Sequence, residues 1–176
     1  HALIIPARLR AALDATDNNG STPLMFAVEN GHTEIAQALV AAGANVNATN
    51  NWGRTALWYA IMYDHKDIVQ ALIAVGVDVN ETYGDGKTAL MAAADLNNTE
   101  IVQMLVAANA DVDAANTNGD TALILSIRTD HMETAQALIA AGADVNAATE
   151  EGYTALVVAS VEGHTDTVQA LVAAGA

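Results

Sequence analysis

The chain has no cysteine, few aromatic residues and few basic ones. The absence of cysteine excludes disulfides, thiolate metal sites and cysteine nucleophiles. Only 6 of the 176 residues are Lys or Arg, against 21 Asp and Glu, which gives a formal net charge of −15. Nucleic acids and anionic membrane surfaces are bound mainly through Lys and Arg, so this balance argues against both as partners. No apolar run reaches the roughly 20 residues that a membrane-spanning helix needs.

What the chain does contain is aliphatic: 52% of its residues are hydrophobic, but only 4% are aromatic. This content is far too high for a disordered tail and is enough to build a core. The sequence starts at His1 without Met or a basic leader, and we interpret this as a trimmed or recombinant start. We take the cytoplasm as the expected location, although a chain without cysteine fits reducing and oxidising compartments alike.

A 33-residue repeat dominates the sequence, and it is marked by Gly20, Gly53, Gly86, Gly119 and Gly152. A Thr stands two residues after each Gly and a Leu four residues after it, and a fixed Gln and Leu return later in each copy. Repeats of this length are typical of solenoid proteins, in which each unit buries its apolar face against its neighbours. We therefore divide the chain into copies at 17–49, 50–82, 83–115, 116–148 and 149–176, preceded by an N-terminal capping segment at 1–16.

Each copy is predicted to form two short helices. The fixed Thr suits the N-cap of the first helix because its hydroxyl accepts a backbone N–H. Only Gly, Asn or Asp, which tolerate a left-handed backbone, occupy the two predicted helix ends. The first helix would end at Gly31, Asp64, Asn97, Asp130 or Gly163, and the second at Gly43, Gly76, Asn109, Gly142 or Gly175. An acidic residue near the start of the second helix complements the helix dipole.

These marks together resemble the ankyrin repeat, most closely in the stretch Gly20-Ser-Thr-Pro-Leu-Met-Phe-Ala-Val-Glu-Asn-Gly-His-Thr-Glu-Ile35. The resemblance covers about residues 17–176 and implies an all-α ankyrin-repeat solenoid of stacked helix–turn–helix units with projecting β-turns. It also implies a non-catalytic protein that needs no cofactor. One departure is that the family's His after Thr-Pro-Leu is absent, and Met25, Trp58, Met91, Ile124 and Val157 stand in its place.

Three other kinds of site are weaker hypotheses. His32, His65, His131 and His164 recur at one position, but neighbouring helices lie roughly 8–10 Å apart, too far for one metal ion to bridge. Ser126 and Ser160 lack a nucleophile elbow, and we expect them to replace packed Ala residues in the first helices. Acidic residues near the turns do not have the spacing of a calcium-binding loop. We therefore predict neither catalytic residues nor a metal site.

The aromatic residues depart from the repeat, because five of the seven lie between residues 52 and 83. Trp52 and Tyr63 stand where other copies mostly have polar residues, so we expect both side chains to be exposed. Trp58 and Tyr59 instead stand where apolar residues are common, and we expect them to lie mainly between repeats and offer only their edges to a ligand.

In ankyrin proteins the turns and the last residues of the first helix line a concave face that grips partners. The resemblance thus implies that this face binds a protein or peptide through Trp52, Arg54, Trp58, Tyr59, Met62, Tyr63, Tyr83, Lys87 and Leu96. Acidic neighbours would favour a partner with basic residues, and they are Glu29, Asp85, Asp95, Asp120, Glu150, Glu151 and Glu162.

Two alternatives remain open. The first is an engineered ankyrin scaffold with a designed binding or catalytic pocket around Trp52, Trp58, Met62 and Tyr63. The second concerns the last copy, which keeps apolar residues such as Val157 and Val172 where a terminal repeat needs a polar outer face. That copy would then pair two arrays, giving self-association, or the chain would be part of a longer solenoid.

Overall fold

The computed structural model describes residues 12–176. Most of the predicted capping segment, residues 1–11, lies outside this range. The chain divides into two compact units, one ending at Asp78 and the other beginning at Val79, and each is described by itself.

The described part of the first unit contains two helix pairs. Helices α1 (Pro23–Glu29) and α2 (Thr33–Ala41) form the first pair, and α3 (Ala56–Met62) and α4 (Lys66–Ala74) form the second. Helix α1 packs on α3 and α2 packs on α4, so the first helices and the second helices stack in separate layers. The core between them includes the fully buried Leu24, Leu57 and Leu72.

The second unit contains three further helix pairs and one short strand pair. Strands β1 (Thr82–Tyr83) and β2 (Lys87–Thr88) are antiparallel and are followed by α5 (Ala89–Asp95) and α6 (Thr99–Ala107). Then come α7 (Ala122–Arg128), α8 (Met132–Ala140), α9 (Ala155–Glu162) and α10 (Thr165–Ala174). Helix α7 packs between α5 and α9, and α8 contacts both α6 and α10. The prediction of an all-α architecture of stacked helix pairs is confirmed.

The helix boundaries follow the predicted chemistry. In all five copies the side chain of the fixed Thr accepts the backbone N–H three residues later, as at Thr22, Thr55, Thr88, Thr121 and Thr154. Among the described residues, four residues other than Gly have a positive φ, and all stand at predicted helix ends: Asp64, Asn97, Asn109 and Asp130. Their φ angles lie between 54° and 64°. Asn and Asp thus replace Gly where the backbone is left-handed.

Two sets of hydrogen bonds join neighbouring copies at the turns. At the turn tips, the N–H groups of Asn51, Thr117 and Glu150 donate to carbonyl oxygens in the preceding copy, each over 2.9 Å. The backbone comes so close at Gly119 that an added Cβ would lie 2.7 Å from the Glu150 nitrogen. At Gly152, by contrast, an added Cβ would meet nothing within 4 Å.

The second set of bonds is a ladder of Asn and Asp side chains, each accepting the backbone N–H of the residue 31 positions later. The acceptors are Asp14, Asn47, Asn80 and Asp113, and the donor distances lie between 2.7 and 2.9 Å. Among residues 12–176, no helix is both long enough and apolar enough to cross a membrane.

Candidate functional site

The loop before helix α3 exposes Trp52. The side-chain Oδ1 of Asn50 accepts the N–H groups of Trp52 and Arg54, each over 3.0 Å, and Gly53 turns the chain with a φ of 72°. Side-chain amides form such turns because they replace the acceptor that a backbone carbonyl would supply. The indole of Trp52 is 51% exposed, so a fixed backbone carries an exposed aromatic side chain.

Asn50 also ties this loop to helix α3. Its Nδ2 donates to the hydroxyl of Tyr59 over 3.1 Å and lies 3.4 Å from the Ser21 hydroxyl. Both Asn50 and Tyr59 are buried. Asn50 was not among the predicted site residues, although Asp17, Asn116 and Thr149 close the turn in the same way in other copies.

The third copy has Tyr83 at this position, and a Tyr side chain cannot form such a turn. The backbone pairing of the turn is kept, with Thr82 opposite Thr88 and Tyr83 opposite Lys87. The pair Thr82–Thr88 has counterparts in later copies, in the bridges Ala115–Thr121 and Ala148–Thr154. This short strand pair was not predicted from the sequence.

Arg54 is the centre of the aromatic cluster in the first unit. Its guanidinium carbon lies 4.2 Å from the ring centre of Trp58 and 5.5 Å from that of Trp52. Both distances are within the range of a cation–π contact. The charged group of Arg54 therefore links the exposed indole of Trp52 to the half-buried indole of Trp58.

Trp58 and Tyr59 join this cluster to the core. Their rings meet edge to face, with centres 5.0 Å apart and planes at 88°. Tyr59 is buried, and Trp58 is only partly covered. The ring of Trp58 therefore packs on a buried residue and also contacts the Arg54 guanidinium.

Met62 and Tyr63 end helix α3, and both side chains are exposed. Tyr63 is the C-cap residue and is 52% exposed, and its ring stacks on that of His65 at 6.1 Å. In the described part of the first unit, three aromatic side chains are each about half exposed: Phe26, and the two predicted site residues Trp52 and Tyr63.

The other three predicted site residues belong to the second unit. Leu96 is exposed at the end of helix α5. Lys87 lies 3.5 Å from Asp95, an ion pair between partly exposed side chains. The sequence analysis assigned Lys87 and Asp95 separate roles toward a partner, but in the structure they contact each other.

Asp120 was predicted to be one of the acidic residues available to a partner, and this prediction was wrong. It is only 3% exposed and forms a two-point ion pair with Arg128, with distances of 2.6 and 3.2 Å. The hydrogen bond to the Asp120 carboxylate raises the pKa of Arg128 above its ordinary value. The carboxylates of Asp85, Glu150, Glu151 and Glu162 are exposed as expected.

The histidines and serines make local contacts. His131 Nδ1 lies 3.1 Å from the carbonyl oxygen of Ala94, and His164 Nδ1 lies 3.5 Å from Asp130. The hydroxyl of Ser126 is buried and donates to the Leu123 carbonyl oxygen. Ser160 was expected to be packed in place of Ala, but it is exposed. It stands one residue beyond the Ala position, so that expectation was wrong.

Two other surface features were not predicted. An apolar cavity of about 250 Å³ lies between α2 and α4, lined by Ala36, Val40, Ile68, Ala71, Leu72 and Val75 among others. In the second unit a polar cavity is lined by Asn118, Asp120, Arg128, Thr149, Glu150 and Glu151.

In the last copy, Val157, Val161 and Val172 are exposed, whereas Val158 is buried. Self-association through this copy stays a prediction.

Comparison with known families agrees with this architecture. A model described as ankyrin repeats in three copies matches residues 2–83, 42–116, 72–149 and 90–176. Together these matches cover nearly the whole chain, so the chain belongs to the ankyrin repeat family. A search of curated proteins found no match.

The predicted ankyrin-repeat solenoid is therefore confirmed. Ankyrin repeats generally mediate interactions between proteins, and the family is typically non-catalytic.

Proposed function

We propose that this chain is a non-catalytic interaction module that binds a protein or peptide on its concave face through an aromatic patch in repeats 2 and 3. The patch consists of Trp52, Arg54, Trp58, Tyr59, Met62, Tyr63, Tyr83, Lys87 and Leu96. The observation that carries the proposal is the exposure of Trp52 and Tyr63, each above 50%, where the other copies mostly have polar residues.

The residue types in the first unit support this function. Trp, Tyr and Arg are enriched among the residues that dominate binding energy at interfaces. Asn50 fixes the backbone of Trp52, and Arg54 contacts its ring. A side chain that is already held loses less conformational entropy when a partner binds, so more of its contact energy remains as affinity.

The charge of the chain favours a partner with basic residues. A net charge of −15 attracts cationic groups over long distances and raises the association rate at low salt. Exposed carboxylates such as Asp85 and Glu150 contribute to this attraction.

The first unit gives less support to a designed small-molecule pocket around the same residues. The guanidinium of Arg54 lies beside both indole rings, where a bound molecule would have to stack. Met62 and Tyr63 are exposed at the helix end, as suits contacts with a larger partner surface.

A quantitative pulldown with wild type, Trp52→Ala and Tyr153→Ala tests the proposal. Tyr153 is the matched control because it is also an exposed aromatic residue but lies in the last copy, outside the patch. We expect Trp52→Ala to weaken binding of captured proteins by about 2 kcal/mol, roughly 30-fold in Kd, and Tyr153→Ala to have little effect.

Thermal melting of the same variants separates binding from folding. Trp52 is half exposed, so its loss should change the free energy of unfolding by less than about 1 kcal/mol. A large loss of stability with unchanged affinity would show that Trp52 has a structural role and would contradict the proposal.

A further inference from the structure

In repeats 3 and 4, a cation at the turn or at the end of the first helix is neutralised within the same repeat. Lys87 pairs with Asp95, and Arg128 pairs with Asp120, eight residues apart in both cases. The charge order is reversed between these two repeats, but each cation has a carboxylate. In the second repeat the same two positions hold Arg54 and Met62. The position of Asp95, the carboxylate of repeat 3, is therefore held in repeat 2 by the thioether of Met62.

Within residues 12–176, no Asp or Glu lies within 4.0 Å of the Arg54 guanidinium. This chain has 21 acidic residues and 6 basic ones, so an arginine without a carboxylate contact is unusual for it. The contacts of the Arg54 side chain are instead the two indole rings of Trp52 and Trp58.

The two indole contacts do not use the hydrogen-bond donors of the Arg54 guanidinium. A guanidinium has five N–H donors in its plane, and contacts with aromatic faces involve its π surface rather than those donors. A planar carboxylate is the group that matches two of these donors at once. The rings also lower the entropy that Arg54 would lose when it binds, because they restrict the guanidinium in advance.

We infer that the partner presents an Asp or Glu side chain to Arg54 and places a neighbouring apolar side chain on Trp52. This inference rests on the proposed function and specifies the chemistry of the partner segment. The net charge of −15 opposes partners that are acidic overall, so the carboxylate is a single one among apolar or basic residues. The carboxylate supplies to Arg54 what Asp95 and Asp120 supply to Lys87 and Arg128.

The test is a selection of random peptides displayed on phage, fused at their C-termini so that none has a free terminal carboxylate. Wild type is compared with Arg54→Gln, Lys66→Gln and Trp52→Ala. Lys66 begins helix α4 in the same unit and is not one of the patch residues, so Lys66→Gln removes an equal charge without changing the patch itself. Circular dichroism establishes that each variant is folded.

We expect wild type and Lys66→Gln to enrich peptides in which one Asp or Glu adjoins an apolar residue. Arg54→Gln should lose the acidic preference, and Trp52→Ala should lose the enrichment altogether. A peptide from the wild-type selection should bind about tenfold more weakly when its Glu is changed to Gln. The same change in the peptide should not weaken its binding to Arg54→Gln. The reason is that the peptide carboxylate strengthens binding only when the Arg54 guanidinium is present. The peptide change alone decides the question if Arg54→Gln does not fold.

Other results would overturn the inference in distinguishable ways. Peptides that depend on Trp52 but show no acidic preference would refute the carboxylate and leave the proposed function standing. Equal losses with Lys66→Gln and Arg54→Gln would show that only net charge matters. If only synthetic peptides with a free C-terminus bind, Arg54 recognises a terminal carboxylate and not an Asp or Glu side chain, and the inference is refuted. Enrichment independent of Trp52 would refute the proposed function and this inference together.

Discussion

Gly119→Ala should destabilise the protein much more than Gly152→Ala, although both glycines stand at the tip of the same turn in neighbouring copies. Their φ angles are nearly equal, at 76° and 81°. A methyl group at either position therefore carries the same backbone cost, about 1–2 kcal/mol for a left-handed residue other than Gly.

The two sites differ in their surroundings. At Gly119 the new Cβ would lie 2.7 Å from the Glu150 nitrogen and 2.8 Å from the Thr149 Cα. These are backbone atoms, which cannot move aside as a side-chain tip can. Overpacking of this kind costs about 1–3 kcal/mol. It also displaces the Glu150 N–H from the Asn118 carbonyl oxygen, which it contacts at 2.9 Å. The total loss is about 2–5 kcal/mol at Gly119, against about 1–2 at Gly152.

Urea unfolding followed by circular dichroism measures both losses, and amide exchange at Glu150 reports on the turn directly. We expect faster exchange at Glu150 in Gly119→Ala and unchanged exchange in Gly152→Ala. Equal destabilisation by the two substitutions would refute the reasoning, because it would show that only the backbone angle matters.

Three further substitutions test the polar contacts. Arg128→Gln should lower the free energy of unfolding by about 1–2 kcal/mol, because it leaves the buried Asp120 carboxylate without its guanidinium, whereas Lys87→Gln, from a more exposed pair, should cost less than about 0.5. Urea titration distinguishes these values, and equal effects would contradict the role of burial. Asn50→Ala should cost about 2 kcal/mol by removing the acceptor of two backbone N–H groups, and should shift tryptophan fluorescence as the loop of Trp52 loosens. An unchanged emission spectrum and unfolding curve would show that Asn50 does not hold this loop.

The framework of the fold could be predicted from the sequence because its determinants are local. A Thr before an apolar run predicts a helix start, and Gly, Asn or Asp at the end predicts a left-handed residue. Asp64 and Asn97 illustrate this, since both have positive φ angles at predicted helix ends. In every copy the 33-residue spacing, the N-cap Thr and the Gly, Asn or Asp at the helix end indicate the same helix boundaries. This agreement is why the helices could be predicted from the sequence.

The candidate site was predictable only in part. The exposure of Trp52 and Tyr63 follows from comparing equivalent positions, because polar residues in other copies indicate contact with water. The contact between Asp120 and Arg128 was missed, because it depends on how a turn folds back over its own helix. No short-range rule connects residues eight apart across such a turn. The link from Asn50 to Tyr59 was missed for the same reason.

The Asn and Asp ladder has a consequence for how such chains change length. Each rung joins a side-chain oxygen of one copy to a main-chain amide of the next, as from Asn80 to Asp111 and from Asp113 to Asp144. The donor is a backbone N–H group, which does not depend on the side chain of the residue that carries it. The acceptor can be the side-chain oxygen of either Asn or Asp. A copy could therefore be duplicated, deleted or exchanged as a whole without losing this connection at its new boundaries. Because this connection does not depend on the exposed turn residues, those residues can change in one copy without affecting how the copy is joined to its neighbours.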